Sequence, residues 1–267
     1  MKVICRDIAD FMEELAPARL AEDWDNVGLL AGSMEAEVRR VLLAMDVTAD
    51  VLEEAVAMKA ELIITHHPFI FKGLKSLAED RVKGRLAAGL IRNGIGVFSA
   101  HTNLDVAEGG VNDVLAQRLG LKDTVNFKDY GPADGTGRRH GLGKVGFLDE
   151  RIQLAQFVET VKSALDVNHV RVIGNAASGV KKAAVFCGSF DDDLEPLEKH
   201  GPDVLVTGDV KYHTAVDALQ MGKCLIDAGH FSSERVMLPV LAELLEKRFP
   251  ELEVRCSRLE KEPFSTY

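Results

Sequence analysis

"LLAMDVTADVLEEAVAMKAELIITHH", residues 42–67, carries the clearest fold signal in this chain. Its two ends are short apolar runs of the kind that form buried strands. Between them apolar side chains recur at intervals of three and four, and Thr48 or Asp50 can cap the helix that this spacing predicts. Strand, helix and strand in this order form a βαβ unit, so the sequence predicts an α/β fold with a mainly parallel sheet.

The alternation of strand and helix continues along the chain. After a further helix and the strand "IGVFSAH", the pattern predicts a helix that ends near Leu119, with Gly120 as its left-handed cap. The glycine-rich segment "KDYGPADGTGRRHGLGK" is typical of an exposed linker over 128–144. We therefore expect a first α/β lobe over 1–127 and a second over 145–267, in which "VGFLD" and "HVRVIG" are strands.

The two predicted lobes resemble each other in the order of their elements. Strand, acidic cap, helix, strand and a terminal threonine coincide when 42–67 is laid over the segment that begins at Ala183. The aligned pairs at the strand ends are Leu43 with Val185, Thr65 with Thr207, His101 with His230, and Asp105 with Glu234. An internal repeat would explain this agreement. Chance similarity between generic βα units is the alternative.

Composition narrows the class of protein. The chain has 46% hydrophobic and 28% charged residues, as an ordinary globular protein does, and a net charge of -10 that disfavours an extended nucleic-acid or anionic-membrane surface. Its four cysteines are far apart, so no CxxC pair predicts a zinc or redox motif. It shows neither a signal peptide nor an apolar run near the roughly 18 residues of a membrane helix, so we expect a cytoplasmic protein.

Histidines and carboxylates are concentrated at predicted strand ends. In open α/β sheets ligands bind beyond the carboxyl ends of the strands, where loops converge. The four ends that carry such residues are His66 with His67, then 101–105, 207–213 and 230–234. Imidazole and carboxylate without thiolate are the ligands of catalytic transition-metal sites, and carboxylates can bridge two ions. The pattern is therefore consistent with a dinuclear site that activates a water molecule.

Each of these motifs also has a simpler interpretation. The double histidine can be a hydrogen-bonded turn at a strand end, and each histidine four residues before an acid can be a pair within a helix. Ser232 or Ser233 can cap a helix that starts near Glu234 and is kinked by Pro239. The histidines to which no role is assigned, in predicted loops or on surfaces, are His140, His169 and His200. No phosphate loop, dinucleotide fingerprint or nucleophile elbow is present.

Six ordered motifs resemble one protein family. They are "EDWDNVGLLAG", "THHPFIF", "SAHTNLDVAEGGVND", "HGLGKVG", "VLVTGDVKYH" and "DAGHFSSE", and they run from about Ile8 to Arg255. In this order they are similar to the Nif-three-like family, whose members are called GTP cyclohydrolase 1 type 2 homologues. The resemblance implies two similar α/β lobes, a dinuclear metal site in the cleft between them, and assembly into a toroidal hexamer.

The resemblance also implies residue roles. The metal ligands by this similarity are His66, His67, Asp105, His230 and Glu234. His101 would lie at or next to the metals, while Asp209, Tyr212 and His213 would contact substrate or support the ligands. "TGD" stands where many relatives have "TGE", which shortens one side chain of the pocket.

The expected function is that of a dinuclear metal-dependent hydrolase. It would hold two divalent ions, Zn, Fe, Mn or Ni, and act on a small molecule, nominally GTP or a related heterocycle, with His101 or His213 as proton shuttle. Lys72, Lys75 or Lys211 could meet a triphosphate. A non-catalytic metal-binding, metallochaperone or scaffold protein is the alternative, and in a third interpretation the histidines only cap loops.

Overall fold

The computed structural model describes residues 2–131, 135, 137 and 139–265. Its helices are α1 (Cys5–Leu15), α2 (Ala49–Met58), α3 (Val82–Arg92), α4 (Thr102–Val106), α5 (Val111–Arg118), α6 (Leu154–Leu165), α7 (Glu195–His200), α8 (Tyr212–Gln220), α9 (His230–Glu234) and α10 (Met237–Arg248). Its strands are β1 (Gly28–Ala31), β2 (Arg40–Ala44), β3 (Leu62–Thr65), β4 (Gly96–Ser99), β5 (Lys122–Asp129), β6 (Gly141–Gln153), β7 (Arg171–Ile173), β8 (Gly179–Ser189), β9 (Val204–Gly208), β10 (Cys224–Asp227) and β11 (Glu253–Cys256).

The chain divides into two compact units. Unit 1 comprises Met1–Leu104 and Leu238–Tyr267, and unit 2 comprises Asp105–Met237. The sequence placed lobe boundaries at 127 and 145, whereas the structure ends the first unit earlier and returns the last helix and strand to it. The physical reason is strand pairing, because β11 joins the edge of the first sheet in parallel with β2. Positions 132–134, 136 and 138 of the predicted linker lie outside the described residues.

Unit 1 contains the sheet that residues 42–67 predict. Its strand order is β1-β4-β3-β2-β11, and only β1 runs antiparallel to its neighbour. Thr48 caps α2, since its Oγ1 accepts a hydrogen bond from the Val51 amide at 3.2 Å, as the sequence predicts. Leu42, Ile63 and Val97 contribute the centre of the sheet to a core in which all three are fully buried. Burying each such side chain stabilises the fold by about 1.5–3 kcal/mol.

Unit 2 contains a mixed sheet. Its order is β5-β6-β8-β9-β10-β7, in which β8, β9 and β10 are parallel and the other pairings are antiparallel. The prediction of a mainly parallel sheet is therefore correct for unit 1 and wrong for unit 2. The reason is local, because β5 and β6 form an antiparallel pair across the segment that the sequence assigns to a linker. Gly120, before β5, has the predicted left-handed backbone with φ +73°.

Three consecutive parallel strands occur in each unit, β2 to β4 and β8 to β10. Of the residue pairs that the sequence aligns, Leu43 with Val185 and Thr65 with Thr207 fall in corresponding strands. The other two pairs lie after strands, His101 and Asp105 before and in α4 and His230 and Glu234 in α9. The internal repeat itself stays a prediction. Among the described residues, no helix is long and apolar enough to cross a lipid bilayer.

One local prediction in the C-terminal half is wrong. Pro239 does not kink a long helix, because α9 ends at Glu234 and Pro239 lies in the first turn of α10, where its missing amide costs no helical hydrogen bond. His140 lies in a loop, as the sequence predicts, but it is buried, with 3% exposure, and its Nδ1 accepts a hydrogen bond from the Glu108 amide at 3.3 Å.

Candidate metal centre

Three histidine rings of unit 1 meet at the carboxyl end of its sheet. The ring centroids of His66, His67 and His101 lie 5.1 to 5.5 Å apart, and each ring offers a ligand nitrogen within 4.8 Å of the others. His66 and His67 follow β3, and His101 follows β4, two neighbouring strands that run in parallel. We call this group the histidine triple. The predicted convergence of the double histidine with His101 is present in unit 1.

A hydroxyl fixes the turn that lets two adjacent histidines face the same space. The strand ends at Thr65, whose Oγ1 donates to the His67 carbonyl at 2.8 Å and contacts Ser99 Oγ at 2.8 Å. The amides of His66 and His67 then donate to two successive carbonyls at the end of β2, those of Ala44 and Met45, at 3.1 and 2.9 Å. In a regular strand, successive amides point to opposite neighbours and successive side chains to opposite faces. Here both amides point toward the end of β2, so the side chains of His66 and His67 can face the same space.

Each ring of the histidine triple is held through Nδ1. The Nδ1 of His66 lies 3.0 Å from the Ala100 carbonyl. Those of His67 and His101 lie 2.9 Å from carboxylate oxygens, Asp46 Oδ2 and Asp25 Oδ1. An acceptor at Nδ1 places the proton there and leaves Nε2 as the nitrogen that would bind an ion. This orientation by carboxylates and carbonyls is characteristic of metal-ligating histidines.

Asp25 and Asp46 were not found by sequence reasoning. Burial acts to raise the pKa of Asp25, but hydrogen bonds from His101 and Thr102 outweigh it and hold the pKa at about 2. Burial likewise acts to raise the pKa of Asp46, and the hydrogen bond from His67 makes the net shift downward. Both side chains are therefore carboxylates at neutral pH. Asp46 lies two residues after the end of β2 and Asp25 lies within "EDWDNVG", so their positions near a strand end and in a family motif were the available signals.

Unit 2 carries a second grouping, on α9. His230 and Glu234 are four residues apart on one helix face, and their Nε2 and Oε2 atoms are 3.2 Å apart. His230 Nδ1 lies 2.9 Å from Asp209 Oδ2, so this ring is also oriented by a carboxylate. Asp105 offers a carboxylate oxygen within 4.8 Å of one from Glu234. We call Asp105, His230 and Glu234 the acidic cluster.

Glycines make room for the acidic cluster. Gly188, at the end of β8, has φ +64°, and a Cβ there would overlap Glu234 Oε1 and lie 3.6 Å from His230 Nε2. The Gly188 amide donates to Ser233 Oγ at 2.9 Å, and that hydroxyl donates to the His230 carbonyl at 2.8 Å. Ser233 therefore ties α9 to β8 from within the helix. The prediction that a serine caps a helix starting near Glu234 is wrong.

A buried thiol borders Asp105. Cys187 Sγ donates to Asp105 Oδ1 at 3.1 Å and accepts from Asn112 Nδ2 at 3.2 Å. Burial, followed by the negative charges of Asp105 and Glu234, raises the pKa of Cys187 well above its usual value. Cys187 is therefore a neutral hydrogen-bond donor at physiological pH. The sequence prediction of a small core residue does not include this contact.

The remaining predicted site residues lie at the start of α8. Tyr212 and His213 occupy its first turn and are exposed, Tyr212 by 77%, with ring centroids 5.3 Å apart. Lys211 pairs with Asp192, which also accepts a hydrogen bond from Thr214. The predicted roles of Tyr212 and His213 in substrate contact stay predictions.

The donors fit a transition-metal ion chemically. Unit 1 supplies three imidazoles with their Nδ1 atoms engaged, and unit 2 supplies an imidazole beside two carboxylates that are 7% and 3% exposed. Buried carboxylates close to each other are costly without a compensating cation. Nitrogen and oxygen donors of this kind suit Zn, Fe, Mn and Ni alike. Histidine and carboxylate groupings that could hold metal are thus present.

Comparisons with known proteins agree with the motifs. The chain matches the model of the Duf34/NIF3 (NGG1p interacting factor 3) family over residues 3–263. It is 37% identical over 259 residues to the "GTP cyclohydrolase 1 type 2 homolog" of Clostridium perfringens, covering 97% of each chain. It is 34% identical to the protein of the same name from Lactococcus lactis, covering 96% of this chain and 98% of the relative.

Solved structures share the fold. A hypothetical protein from Staphylococcus aureus is 32% identical and superposes with a TM-score of 0.93 over 100% of both chains. A Bacillus cereus protein related to NIF3 is 28% identical with the same TM-score and coverage. These similarities confirm the mixed α/β architecture and the motif-based family assignment.

Proposed function

The chain belongs to the Duf34/NIF3 family, and from that premise we propose that it is a dinuclear metal-dependent hydrolase of a nucleotide or related heterocycle, nominally GTP. In this proposal the histidine triple and the acidic cluster together hold two divalent ions. The observation that carries the proposal is the anchoring of His67, His101 and His230 through Nδ1 by three separate carboxylates, each at 2.9 Å. Histidines that only cap loops do not need this arrangement.

The proposed ligands are those that the family resemblance implies: His66, His67, Asp105, His230 and Glu234. When bound, two divalent ions supply Lewis acidity and an activated water for attack on an electrophilic carbon. The chain contributes the orientation of its donors. Asp46 fixes the ring of His67, Asp209 that of His230, and Cys187 the carboxylate of Asp105.

Proton transfer is proposed for His101. Asp25 holds its Nδ1, so its Nε2 is the atom that would take up or release a proton, and the ring side chain is 13% exposed. His213 is the other candidate, in the exposed first turn of α8. Asp209 supports His230 in the structure, so we assign it to orientation rather than to direct substrate contact. Tyr212 stays the proposed substrate contact of unit 2.

The test begins with metal content and turnover. Elemental analysis of the purified chain should give about two ions per chain, and GTP should be consumed in a screen of nucleotides and phosphate esters. Glu234→Gln and Asp105→Asn should lose both metal and turnover. Glu246→Gln, which changes an exposed carboxylate on α10, is the matched control and should change neither.

The outcomes separate the alternatives. Protein that fails to bind added Zn, Mn, Fe or Ni would contradict the metal proposal and favour histidines that cap loops. Metal without turnover of any substrate in the screen would favour the non-catalytic metal-binding protein. We also propose a toroidal hexamer by family resemblance, which light scattering of the metal-loaded protein would test.

A further inference from the structure

Two large aromatic side chains are exposed beside the histidine triple. Trp24 is 57% and Phe71 47% exposed, and their ring centroids lie 5.6 Å apart. Both rings also meet His101, at centroid distances of 6.0 and 6.3 Å. All three residues belong to unit 1. Exposed aromatic surface costs free energy in water, so a pair of this size at the edge of a candidate site calls for a ligand.

Polar contacts fix the loop that carries Trp24. The neighbouring Asp25 accepts hydrogen bonds from the amide and hydroxyl of Thr102, at 3.1 and 2.5 Å, besides its contact with His101. Asn26 Nδ2 donates to the Ile70 carbonyl, one residue before Phe71. These bonds connect both aromatic loops to the site.

Phe71 is held from its other side as well. Phe69, two residues earlier, is 2% exposed within the core, and its carbonyl accepts a hydrogen bond from Lys83 Nζ at 3.1 Å. The chain thus passes from a buried to an exposed phenylalanine within three residues. The exposure of Phe71 is therefore set by an anchored backbone.

We propose that Trp24 and Phe71 form a stacking surface for the planar heteroaromatic ring of the substrate, with a purine base as the type. The inference rests on the proposed function, which it deepens by naming the residues that bind the ring. A ring stacked on these side chains would lie beside His101, where the reaction is proposed to occur, because the centroids of Trp24 and Phe71 are 6.0 and 6.3 Å from that of His101. Stacking on aromatic side chains accepts any base, because every base has a π-face.

The position of the surface favours a small ring over a protein partner. The three rings are mutual neighbours, since each of Trp24 and Phe71 contacts His101 as well as the other. A protein that covered the two aromatic rings would also cover His101. The expected ligand is therefore a small heteroaromatic molecule.

Trp24 provides a direct measurement, because the chain has one tryptophan. The metal-loaded full chain is titrated with GTP, guanosine and tripolyphosphate while the tryptophan emission is followed. We expect saturable quenching by GTP and guanosine and none by tripolyphosphate. Phe71→Ala should raise the half-saturating concentration about tenfold, and Phe71→Tyr should restore it. Phe264→Ala removes a phenyl ring that is 79% exposed elsewhere in unit 1 and should change nothing.

Three outcomes would overturn the inference. The first is equal quenching by tripolyphosphate, and the second is an unchanged half-saturating concentration in Phe71→Ala. The third is tryptophan emission that shifts with protein concentration in the absence of nucleotide, which would indicate that a second copy of the chain covers the aromatic rings.

Metal content and turnover are measured on the same samples. Turnover without quenching rejects the stacking surface alone, whereas purine quenching in protein that binds no metal rejects the proposed function alone.

Discussion

The histidine triple and the acidic cluster differ in the chemistry of their donors. In unit 1 three imidazole rings are held by a carbonyl and two carboxylates behind them. In unit 2 two buried carboxylates stand close together beside one ring, with the Cys187 thiol and Gly188 next to them. Imidazole rings bring no negative charge to a site, whereas adjacent buried carboxylates repel each other. The comparison implies that an ion stabilises unit 2 more than unit 1.

Removing metal is the largest test of this difference. At free metal about 1,000 times its dissociation constant, binding stabilises the fold by about 4 kcal/mol, which chelation should remove. In the presence of metal, Glu234→Gln should be less stable than wild type, because it no longer binds the ion. Without metal the substitution should be neutral or stabilising, because it removes one of two close charges. The measurement is chemical denaturation of both forms.

The matched variant for that test is His67→Gln in unit 1. It removes an imidazole ring rather than one of two close carboxylates, so it should not stabilise the metal-free protein. A Glu234→Gln protein that is equally destabilised with and without metal would contradict the charge argument.

Gly188→Ala tests the space around the acidic cluster. The new Cβ would require a left-handed backbone and would displace Glu234, for a combined cost of about 3 kcal/mol and loss of metal. Gly94→Ala is the control, because Gly94 has the same φ of +64° with nothing within 4 Å. It should cost only about 1 kcal/mol and leave metal content unchanged. Equal effects of the two substitutions would assign the whole cost to backbone strain.

Asp25→Asn tests how unit 1 orients its rings. The substitution should lower metal affinity about tenfold or more and remove about 2 kcal/mol of stability at pH 7. The folded pKa of Asp25, about 2, lies below the ordinary value of 3.8, so this stability is present above pH 3.8 and is lost as pH falls through about 2. Wild type and variant should therefore converge in acid-denaturation experiments. A constant difference down to pH 2 would contradict the charge-based role.

Sequence reasoning found the proposed ligands but missed the residues that orient them. A double histidine and two histidine-acid motifs at strand ends are local patterns, and the structure brings three of these histidines together in unit 1. Asp25 acts on a ring 76 residues away in sequence, and no local spacing predicts such a contact. The role of Gly188 could not be predicted either, because it depends on contact with Glu234, which is distant in sequence and lies on α9.

The fold shows the same limit. The βαβ pattern of 42–67 predicted the sheet of unit 1, because hydrophobic periodicity identifies a helix or a strand from neighbouring residues alone. The sequence of the short strand β11 does not indicate which sheet it joins. Its pairing with β2 places residues 238–267 in unit 1, whereas the sequence assigned them to the second lobe. Strand direction in unit 2 was missed where β5 pairs with β6 over a glycine-rich segment.

The weakest effect is expected at Asp192, which lies between β8 and α7 in unit 2 and contacts the start of α8. Hydrogen bonds from Lys211 and Thr214 lower the pKa of Asp192. The stability that Asp192 adds is therefore present above its ordinary pKa of 3.8 and is lost as pH falls through the lower folded value. Because the pair is largely exposed, Asp192→Asn should cost only about 0.5 kcal/mol at pH 7.

That cost should disappear in acid and shrink in high salt, as measured by denaturation at several pH values and ionic strengths. Asp217→Asn changes an exposed carboxylate on α8 itself and should have no measurable effect. If Asp192→Asn also lowers the nucleotide affinity of the metal-loaded protein, the loop that presents Tyr212 belongs to the binding surface. In that case unit 2 would contribute to substrate binding as well as to the proposed metal site.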